Sequence, residues 1–247
     1  MLVIINADDL GMDVTRNDLT FHLMSQGRIT SATILANGPA VDHAIKNVRF
    51  FPKCSFGIHL NATEFRPIRN HSSLRPLVND GIFSRNIRLT GVKWAVLKGL
   101  YQEFCAQVDR LLEAGIQISH IDSHHHLHTL PSVLPVVKGI QRRYGIRSVR
   151  ISQTIYAPGY AASHVRRAKA VVYNSCLRHL YGTKTTDAFT EFQIFCQACK
   201  IRTWHFRTVE LMVHPGNPLY DAETNLLGRA SLEELLGPVQ KITYFDL

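Results

Sequence analysis

The chain has 247 residues, of which 45% are hydrophobic and 9% aromatic, so it can bury a sizeable core and is not expected to be disordered. Its formal net charge of +9 favours anionic partners without naming one. The odd number of five cysteines and the lack of a secretory leader argue against a disulfide framework. No apolar run reaches the roughly 20 residues that span a bilayer, so we expect a cytoplasmic protein.

Strand and helix patterns alternate along the chain. Short apolar runs rich in β-branched residues predict strands at residues 2–6, 31–37, 55–61, 118–124, 146–152 and 209–215. Helical spacing of apolar residues predicts helices at residues 13–26, 40–48, 91–115, 130–145, 164–184 and 231–237, and we expect a long loop over 63–88. This alternation favours a parallel α/β architecture, built as a single domain from residues 1–247.

Several residues predict where the helices begin and end. Asp13 is expected to cap the first helix and Gly27 to end it. Pro131 is expected in the first turn of the helix over 130–145, and Ser231 is expected to cap the last helix.

Carboxylates and imidazoles follow four of the predicted strands. Asp8 and Asp9 come after the first strand, His59 lies near the end of the third, and the run HIDSHHHLH at 120–128 spans the end of the strand over 118–124 and the residues after it. His214 ends the last strand. The carboxyl ends of parallel strands converge on one rim, where the active sites of such folds lie, so we expect these side chains to form one site.

The residue types at this rim indicate a metal site. Carboxylate and imidazole ligands suit a divalent ion such as zinc and are compatible with manganese, cobalt or nickel, and three protein ligands leave a position for water. Asp8 and Asp9 can divide metal binding and proton transfer between them. On an extended segment, His124 and His126 would point one way and His125 the other, so not every histidine of the cluster can bind one ion.

The motifs NADDLG, GRITSATILANGPAVDHA, FGIHLN, HIDSHHHLH and LMVHP appear in this order between residues 3 and 215. With them the chain resembles the YdjC-like carbohydrate deacetylases, a group that includes chitooligosaccharide deacetylase and the hopanoid-biosynthesis deacetylase. The resemblance implies an irregular (β/α) barrel related to the polysaccharide deacetylases and one divalent metal ion, zinc or magnesium. It also implies removal of an acetyl group from an N-acetylated amino sugar.

The resemblance also implies roles for individual residues. The implied metal ligands are Asp9, His59 and His124. Asp8 is then the catalytic base or its support, and His214 resembles the late histidine that protonates the leaving amine. Independently of the resemblance, Arg150 near the end of the predicted strand over 146–152 is a candidate substrate-binding residue, but it could equally orient an aspartate or form a surface ion pair.

The stretch from His164 to Lys184 is basic and contains no acidic residue. We expect either a solvated helix face whose apolar residues pack on the barrel, or a surface for a sugar attached to a lipid or phosphate carrier, with peripheral membrane contact. The chain has no zinc-finger spacing and no aromatic RNA-binding run, so nucleic acid is not an expected partner. The sequence leaves the oligomeric state open, a homodimer included.

Two other functions remain open from the sequence. Another metallohydrolase on the same fold, such as a phosphoesterase, often uses two metals with bridging carboxylates, whereas only one three-ligand site is readily assembled here. A non-enzymatic metal- or anion-binding protein would not need aspartates and histidines at four strand ends. Both points disfavour these alternatives to the metal-dependent deacetylase that the resemblance implies.

Overall fold

A curled sheet forms the centre of the fold in the computed structural model, which describes residues 1–69, 71–84, 93–201, 203–229 and 232–247. The described strands are β1 (Leu2–Leu10), β2 (Ser31–Ile34), β3 (Ser55–Leu60), β4 (Val78–Asn79), β5 (Ile82–Phe83), β6 (Ile118–Ser123), β7 (Ser148–Val149), β8 (Ala188–Glu191), β9 (Thr208–Val213) and β10 (Gln240–Lys241). The order across the sheet is β7-β6-β3-β2-β1-β9-β8, with β10 beside β1, and its strand pairs are parallel. The strands β4 and β5 form a separate antiparallel hairpin.

The two edges of the sheet approach each other. The Val149 N–H donates to the Lys184 carbonyl at 3.2 Å, and the Thr154 N–H donates to the Phe189 carbonyl at 3.0 Å. These bonds join β7 and the residues after it to β8 and the residues before it. The predicted α/β class and the irregular (β/α) barrel are therefore confirmed.

Helices pack against this sheet and bury its strands. The described helices are α1 (Val14–Ser25), α2 (Val41–Val48), α3 (Trp94–Glu113), α4 (Leu134–Tyr144), α5 (His164–Ser175), α6 (Phe192–Cys199), α7 (Asp221–Arg229) and α8 (Leu232–Leu236). As predicted, Asp13 caps α1 by accepting the Arg16 N–H at 2.8 Å, and Gly27 follows its end with a φ of 67°. Among the described residues no helix is both long and apolar enough to cross a bilayer, and the five cysteines are unpaired.

The first strand is longer than predicted. It was expected to end at residue 6, but β1 continues to Leu10, so Asp8 and Asp9 lie within the strand instead of after it. The pairing of β1 with β2 shifts register between Ala7 and Leu10, which is a β-bulge. The bulge allows ladder pairing to resume beyond the two aspartates.

The region predicted as a long loop over 63–88 contains structure. Ser72–Leu77 form a 3₁₀ turn, and the β4–β5 hairpin follows it. Leu74, Leu77 and Phe83 are buried, so packing stabilises these short elements. They are too short to show a periodic pattern in the sequence. Residues 70 and 85–92, which include the end of the predicted loop and the start of the predicted helix over 91–115, lie outside the described residues.

Two further boundaries differ from prediction, and two elements were not predicted. The helix expected from residue 130 begins at Leu134, so Pro135 and not Pro131 lies in its first turn, because residues 124–129 form a separate 3₁₀ turn. The strand expected over 146–152 pairs only at Ser148–Val149. Both β8 and α6 had no counterpart in the sequence prediction. The predicted cap Ser231 lies outside the described residues.

The residues after β10 close the barrel at the end where its strands begin. The Tyr244 ring stacks on the His120 ring with centroids 3.5 Å apart, and the Tyr244 hydroxyl donates to the Glu210 carboxylate. On the other side of His120 lies Gly57 of β3. A Cβ added at Gly57 would lie 2.5 Å from the imidazole carbon Cε1 of His120, closer than real Cβ contacts allow.

We expect Gly57→Ala to lower the free energy of unfolding by about 1–3 kcal/mol, because the added methyl group overpacks a stack with no room to move. Urea denaturation measures this change. Gly228→Ala is the matched control, since its nearest neighbour outside the helix is Leu23 Cδ2 at 3.9 Å. Equal stability of Gly57→Ala and the unchanged protein would show that the packing against His120 is loose.

Candidate metal and catalytic site

A cavity of about 350 Å3 opens at the carboxyl ends of the strands. Its lining includes five of the six residues predicted for the site, namely Asp8, Asp9, His59, His124 and His214. Arg150, the sixth, is fully buried and does not line the cavity. The strand-end pattern thus brings together side chains from β1, β3, the turn after β6 and the loop after β9.

The bulge in β1 explains how two neighbouring aspartates reach the same cavity. Successive residues of a regular strand point to opposite faces of the sheet. Here Asp9 has a φ of 65° and Gly11 a φ of 100°, both in the left-handed region. For a residue other than glycine this conformation costs on the order of 1–3 kcal/mol, so the strand is strained at the point where it carries the two carboxylates.

Three potential ligand atoms converge beside Asp9. Its Oδ1 lies 2.9 Å from His124 Nδ1 and 3.4 Å from His59 Nε2. This oxygen is buried and makes no hydrogen bond within the part of the chain that the structure describes. One carboxylate and two imidazoles that converge in this way form a donor set suited to a divalent ion, so these residues fit the metal implied by the sequence.

Two other groups in or beside the cavity each offer three potential ligands, namely Asp8, His59 and Asp122, and Glu64, His124 and His125. Both carboxylates of the first group pair with Arg150, which competes with a metal ion for their charge. The second group uses the opposite nitrogen of His124, whose Nε2 lies 3.4 Å from Glu64 Oε2. In the Asp9 group the guanidinium of Arg16 approaches only Oδ2, at 3.6 Å, and leaves Oδ1 to the imidazoles. The Asp9 group is therefore the best candidate.

Asp122 fixes the orientation of the His59 ring. His59 Nδ1 lies 2.6 Å from Asp122 Oδ1, and the Thr33 hydroxyl donates to Asp122 Oδ2 at 3.0 Å. A proton on Nδ1 leaves Nε2 to face Asp9, which is the carboxylate–histidine arrangement typical of metal sites. Burial alone would lower the pKa of His59, but the carboxylates of Asp122, Asp9 and Asp8 raise it to about 10.

Arg150 holds Asp8 through two hydrogen bonds. Its Nη1 and Nη2 donate to the two carboxylate oxygens at 2.7 and 2.6 Å, and its Nε donates to Glu210 Oε1 at 2.8 Å. Nη1 also lies 2.7 Å from Asp122 Oδ2. A guanidinium with no exposed surface does not allow the substrate contact expected from the sequence. The role that its position does allow is orientation of an aspartate.

The same ion pair sets the charge of Asp8. Burial favours the neutral carboxyl group, but the Arg150 guanidinium outweighs burial and holds the pKa of Asp8 well below its usual range. The pKa of Asp9 is also low, because the imidazoles of His124 and His59 outweigh the effect of burial. Both aspartates are therefore ionised at neutral pH, one beside a guanidinium and the other beside two imidazoles.

His214 lies in the loop after β9 and is held from two sides. Its ring stacks on the Tyr220 ring with centroids 4.3 Å apart, and its backbone N–H donates to Glu223 Oε1 at 2.8 Å. Burial lowers the pKa of His214 against the opposing charges of Asp8 and Asp9. Burial also raises the pKa of the Glu223 carboxyl group to about 8.

The histidine run after β6 is a tight turn and not an extended segment. His125 and His126 have φ values of 52° and 54°, within the 3₁₀ turn His124–Thr129. This backbone places the His124 and His125 rings 4.0 Å apart, and nitrogens of the two rings lie 3.4 and 3.9 Å from the Glu64 carboxylate. The prediction that His125 points away from His124 is therefore wrong, and all three consecutive histidines line the cavity.

Three acidic residues at this site, Glu64, Glu191 and Glu223, were not predicted from the sequence. Glu64 and Glu191 line the cavity, and Glu223 supports His214. An inspection of acidic residues within a few positions of each predicted strand end would have found Glu64, which follows β3 closely. Glu191 ends a strand that was not predicted, and no sequence signal connects Glu223 on α7 with His214.

A family model described as YdjC-like protein matches residues 2–235. The carbohydrate deacetylase of Geobacillus stearothermophilus is 39% identical over 153 residues, which cover 61% of this chain and 60% of that protein. The carbohydrate deacetylase of Vibrio vulnificus (strain CMCP6) is 30% identical over 219 residues, which cover 87% of this chain and 79% of that protein.

The fold has a match among solved structures. The crystal structure of an Enterococcus faecalis V583 protein, proposed to cleave cellobiose phosphate, matches with a TM-score of 0.77 and 22% identity, over 99% of this chain and 98% of that one. At that identity the likeness concerns the fold alone. Because the family model spans nearly the whole sequence and the motifs of the cavity lie within it, the chain belongs to the YdjC-like protein family.

Proposed function

We propose that this protein is a metal-dependent hydrolase that removes the N-acetyl group from an N-acetylated amino sugar. The observation that carries the proposal is the convergence of Asp9, His59 and His124 in one cavity with an ionised Asp8 and with His214. The relatives described as carbohydrate deacetylases support the substrate class. We further propose that residues 1–247 act as one domain, and the cytoplasmic location stays a prediction.

Asp9, His59 and His124 would hold one divalent ion, with zinc and magnesium as the first candidates and manganese, cobalt or nickel as others. When bound, such an ion polarises the acyl carbonyl and lowers the pKa of water toward about 7. His59 is already oriented for metal binding, because its Nδ1–H donates a hydrogen bond to Asp122 and its Nε2 faces Asp9.

Asp8 takes a proton from the water that attacks the acyl carbon. Its carboxylate remains ionised because of Arg150, so it is available as a base at neutral pH. Both oxygens accept hydrogen bonds from Arg150, and Oδ1 also accepts one from the Asn6 amide at 2.9 Å. These bonds direct the carboxylate, so Arg150 acts as a positioning residue and not as a substrate ligand.

His214 donates a proton to the sugar nitrogen as its bond to the acyl carbon breaks. The products are acetate and a free amino sugar. Burial lowers the pKa of His214, which makes its protonated form a stronger acid. The stack on Tyr220 and the hydrogen bond to Glu223 hold the loop in place while the proton moves.

The two alternatives are less well supported. A two-metal phosphoesterase needs carboxylates that bridge its ions, yet Asp8 and Asp122 are both paired with Arg150. A non-enzymatic metal- or anion-binding protein has no use for an ionised carboxylate and an imidazole set apart from the three ligands. Such a binding protein would show many weak metal sites in a titration instead of a single tight one.

Incubation with a panel of N-acetylated sugars and glycolipids should yield products that have lost one acetyl group, detected by mass spectrometry together with free acetate. Chelation should abolish turnover, and added divalent metal should restore it, because the ion supplies the electrophile. Release of phosphate from phosphate esters, without loss of acetyl from any member of the panel, would favour the phosphoesterase instead.

His59→Ala and His124→Ala should each lower the metal content from about one ion per chain, because a three-ligand site loses a ligand. Asp122→Asn keeps the side-chain volume but should weaken metal binding by about 10–100-fold, since His59 loses the carboxylate that orients it. Elemental analysis and calorimetric titration measure both effects. His22→Ala, at an exposed position of α1, is the control and should keep full occupancy. Unchanged binding in both ligand variants would refute the site.

His214→Ala should retain the metal but slow hydrolysis by about 10²–10⁴-fold, the usual cost of losing a general acid–base group. Steady-state kinetics on a responsive N-acetylated sugar, with metal content measured in parallel, provides the test. Tyr220→Phe keeps the aromatic stack and should leave the rate close to that of the unchanged protein. If His214→Ala is as fast as the unchanged protein, another group protonates the amine.

A further inference from the structure

The positive charge of the chain is concentrated in one segment. Ten of the 28 Lys and Arg residues, and none of the 19 Asp and Glu residues, lie between positions 123 and 186. The rest of the chain therefore carries 18 basic and 19 acidic side chains, so this segment supplies the whole excess. It contains α4, β7 and α5, and Lys138 of α4 donates to the Tyr181 carbonyl beyond α5 at 2.6 Å. The helix α4 is thus in contact with the chain that follows α5.

The helix α5 and the π-helical turn Cys176–Leu180 that continues it pack on the barrel with only one of their sides. Tyr173 is 5% exposed and Leu177 is fully buried, as expected for apolar residues packed on the barrel. On the other side, four aliphatic side chains are between 61 and 74% exposed, namely Val165, Val171, Val172 and Leu180. The expectation that the apolar residues of this stretch serve only packing therefore holds for part of them.

Cations lie among these exposed aliphatic side chains. Arg166, Arg167 and Lys169 are exposed on α5. Arg178 and Lys184 are engaged elsewhere, since they donate to the carbonyls of Thr186 at 2.7 Å and Leu247 at 2.9 Å. We use the term α5 surface for the exposed set Val165, Arg166, Arg167, Lys169, Val171, Val172 and Leu180.

One end of the α5 surface lies close to the cavity. Arg166 donates through Nη2 to Gln153 Oε1 at 3.2 Å and through Nη1 to the Tyr160 hydroxyl at 3.1 Å. The Gln153 amide in turn donates to Thr190 Oγ1 at 3.4 Å. The next residue, Glu191, lines the cavity. Hydrogen bonds therefore connect the α5 surface with β8, whose last residue lines the candidate active site.

We infer that the α5 surface binds an anionic phospholipid bilayer. Its three cations attract anionic headgroups, and its valines and leucine can enter the interface, as in helices that lie on membranes. Nucleic acid offers phosphates as well, but it offers little that would remove four aliphatic side chains from water. A second copy bound through the same face would bring two strongly basic segments together, which repel each other.

This inference has a consequence for the substrate, and that consequence rests on the proposed function. An enzyme held on a bilayer beside its own cavity acts on sugars presented at that bilayer. The N-acetylated sugar is then attached to a lipid carrier, and the acetate and the amine form at the membrane surface.

Co-sedimentation with phosphatidylcholine vesicles, with and without phosphatidylglycerol, tests the membrane binding. The protein should sediment with the anionic vesicles at low salt and be released as salt is raised. Combined Arg166→Glu, Arg167→Glu and Lys169→Glu should lower the partition coefficient by about 100-fold or more, as expected for about 1 kcal/mol per cation. Combined Val171→Ser and Val172→Ser should lower it by about tenfold, because less apolar surface enters the interface.

The matched control reverses the same number of charges at exposed positions in and after α2, namely Lys46→Glu, Arg49→Glu and Lys53→Glu. It should keep binding anionic vesicles better than the α5 charge variant by tenfold or more. Absence of vesicle binding, equal losses in the two charge variants, or binding of duplex DNA through α5 in place of vesicles would each overturn the inference. Turnover of a soluble N-acetylated sugar should be unchanged in the α5 charge variant. If no sugar is deacetylated while α5-dependent vesicle binding persists, the proposed function fails alone.

Discussion

The buried guanidinium of Arg150 links the strands that carry the site. It contacts Asp8 on β1, Asp122 on β6 and Glu210 on β9, each at 2.8 Å or less. Since β2 and β3 separate β1 from β6 in the sheet, Arg150 reaches across the interior of the barrel. Buried charges are tolerated only when paired and hydrogen-bonded, which ties these strands to one relative position. The same contacts orient Asp8 directly and His59 through Asp122. They also explain how two adjacent aspartates come to have different charged neighbours, a guanidinium beside Asp8 and two imidazoles beside Asp9.

The sequence was sufficient to predict which residues meet, because strand ends in a parallel fold share one rim. Asp9, His59, His124 and His214 were found in this way, and the alternation of strands and helices led to the correct fold class. The burial of Arg150 was not predictable, because it depends on partners 142, 28 and 60 residues away along the chain. Helix and strand patterns describe local periodicity, and they carry no information on such pairings.

Conformation within the motifs was also beyond the sequence analysis. The bulge at Asp9 and the left-handed residues His125 and His126 break the period-two alternation that an extended segment would follow. Such conformations persist only where the surrounding structure imposes them, and here the residues concerned all line the same cavity. The strained backbone therefore determines which imidazole faces which carboxylate. A cluster rich in histidine can bind one ion selectively only if its geometry is imposed in this way.

The central position of β1 has a consequence for how the protein is made. Residues Asn6 to Leu10 pair on one side with β2, which is synthesised soon afterwards, and residues Leu2 to Ala7 pair on the other side with Thr208 to Val213 of β9. The chain between β1 and β9 forms a long loop, and closing it costs entropy before the contacts between the strands form. This cost slows folding. During synthesis, the side of β1 that pairs with β9 therefore stays unpaired until more than 200 further residues have been added. Tyr244 and Glu210 meet later still, so the partly synthesised chain exposes an unpaired apolar strand edge, a feature that favours aggregation.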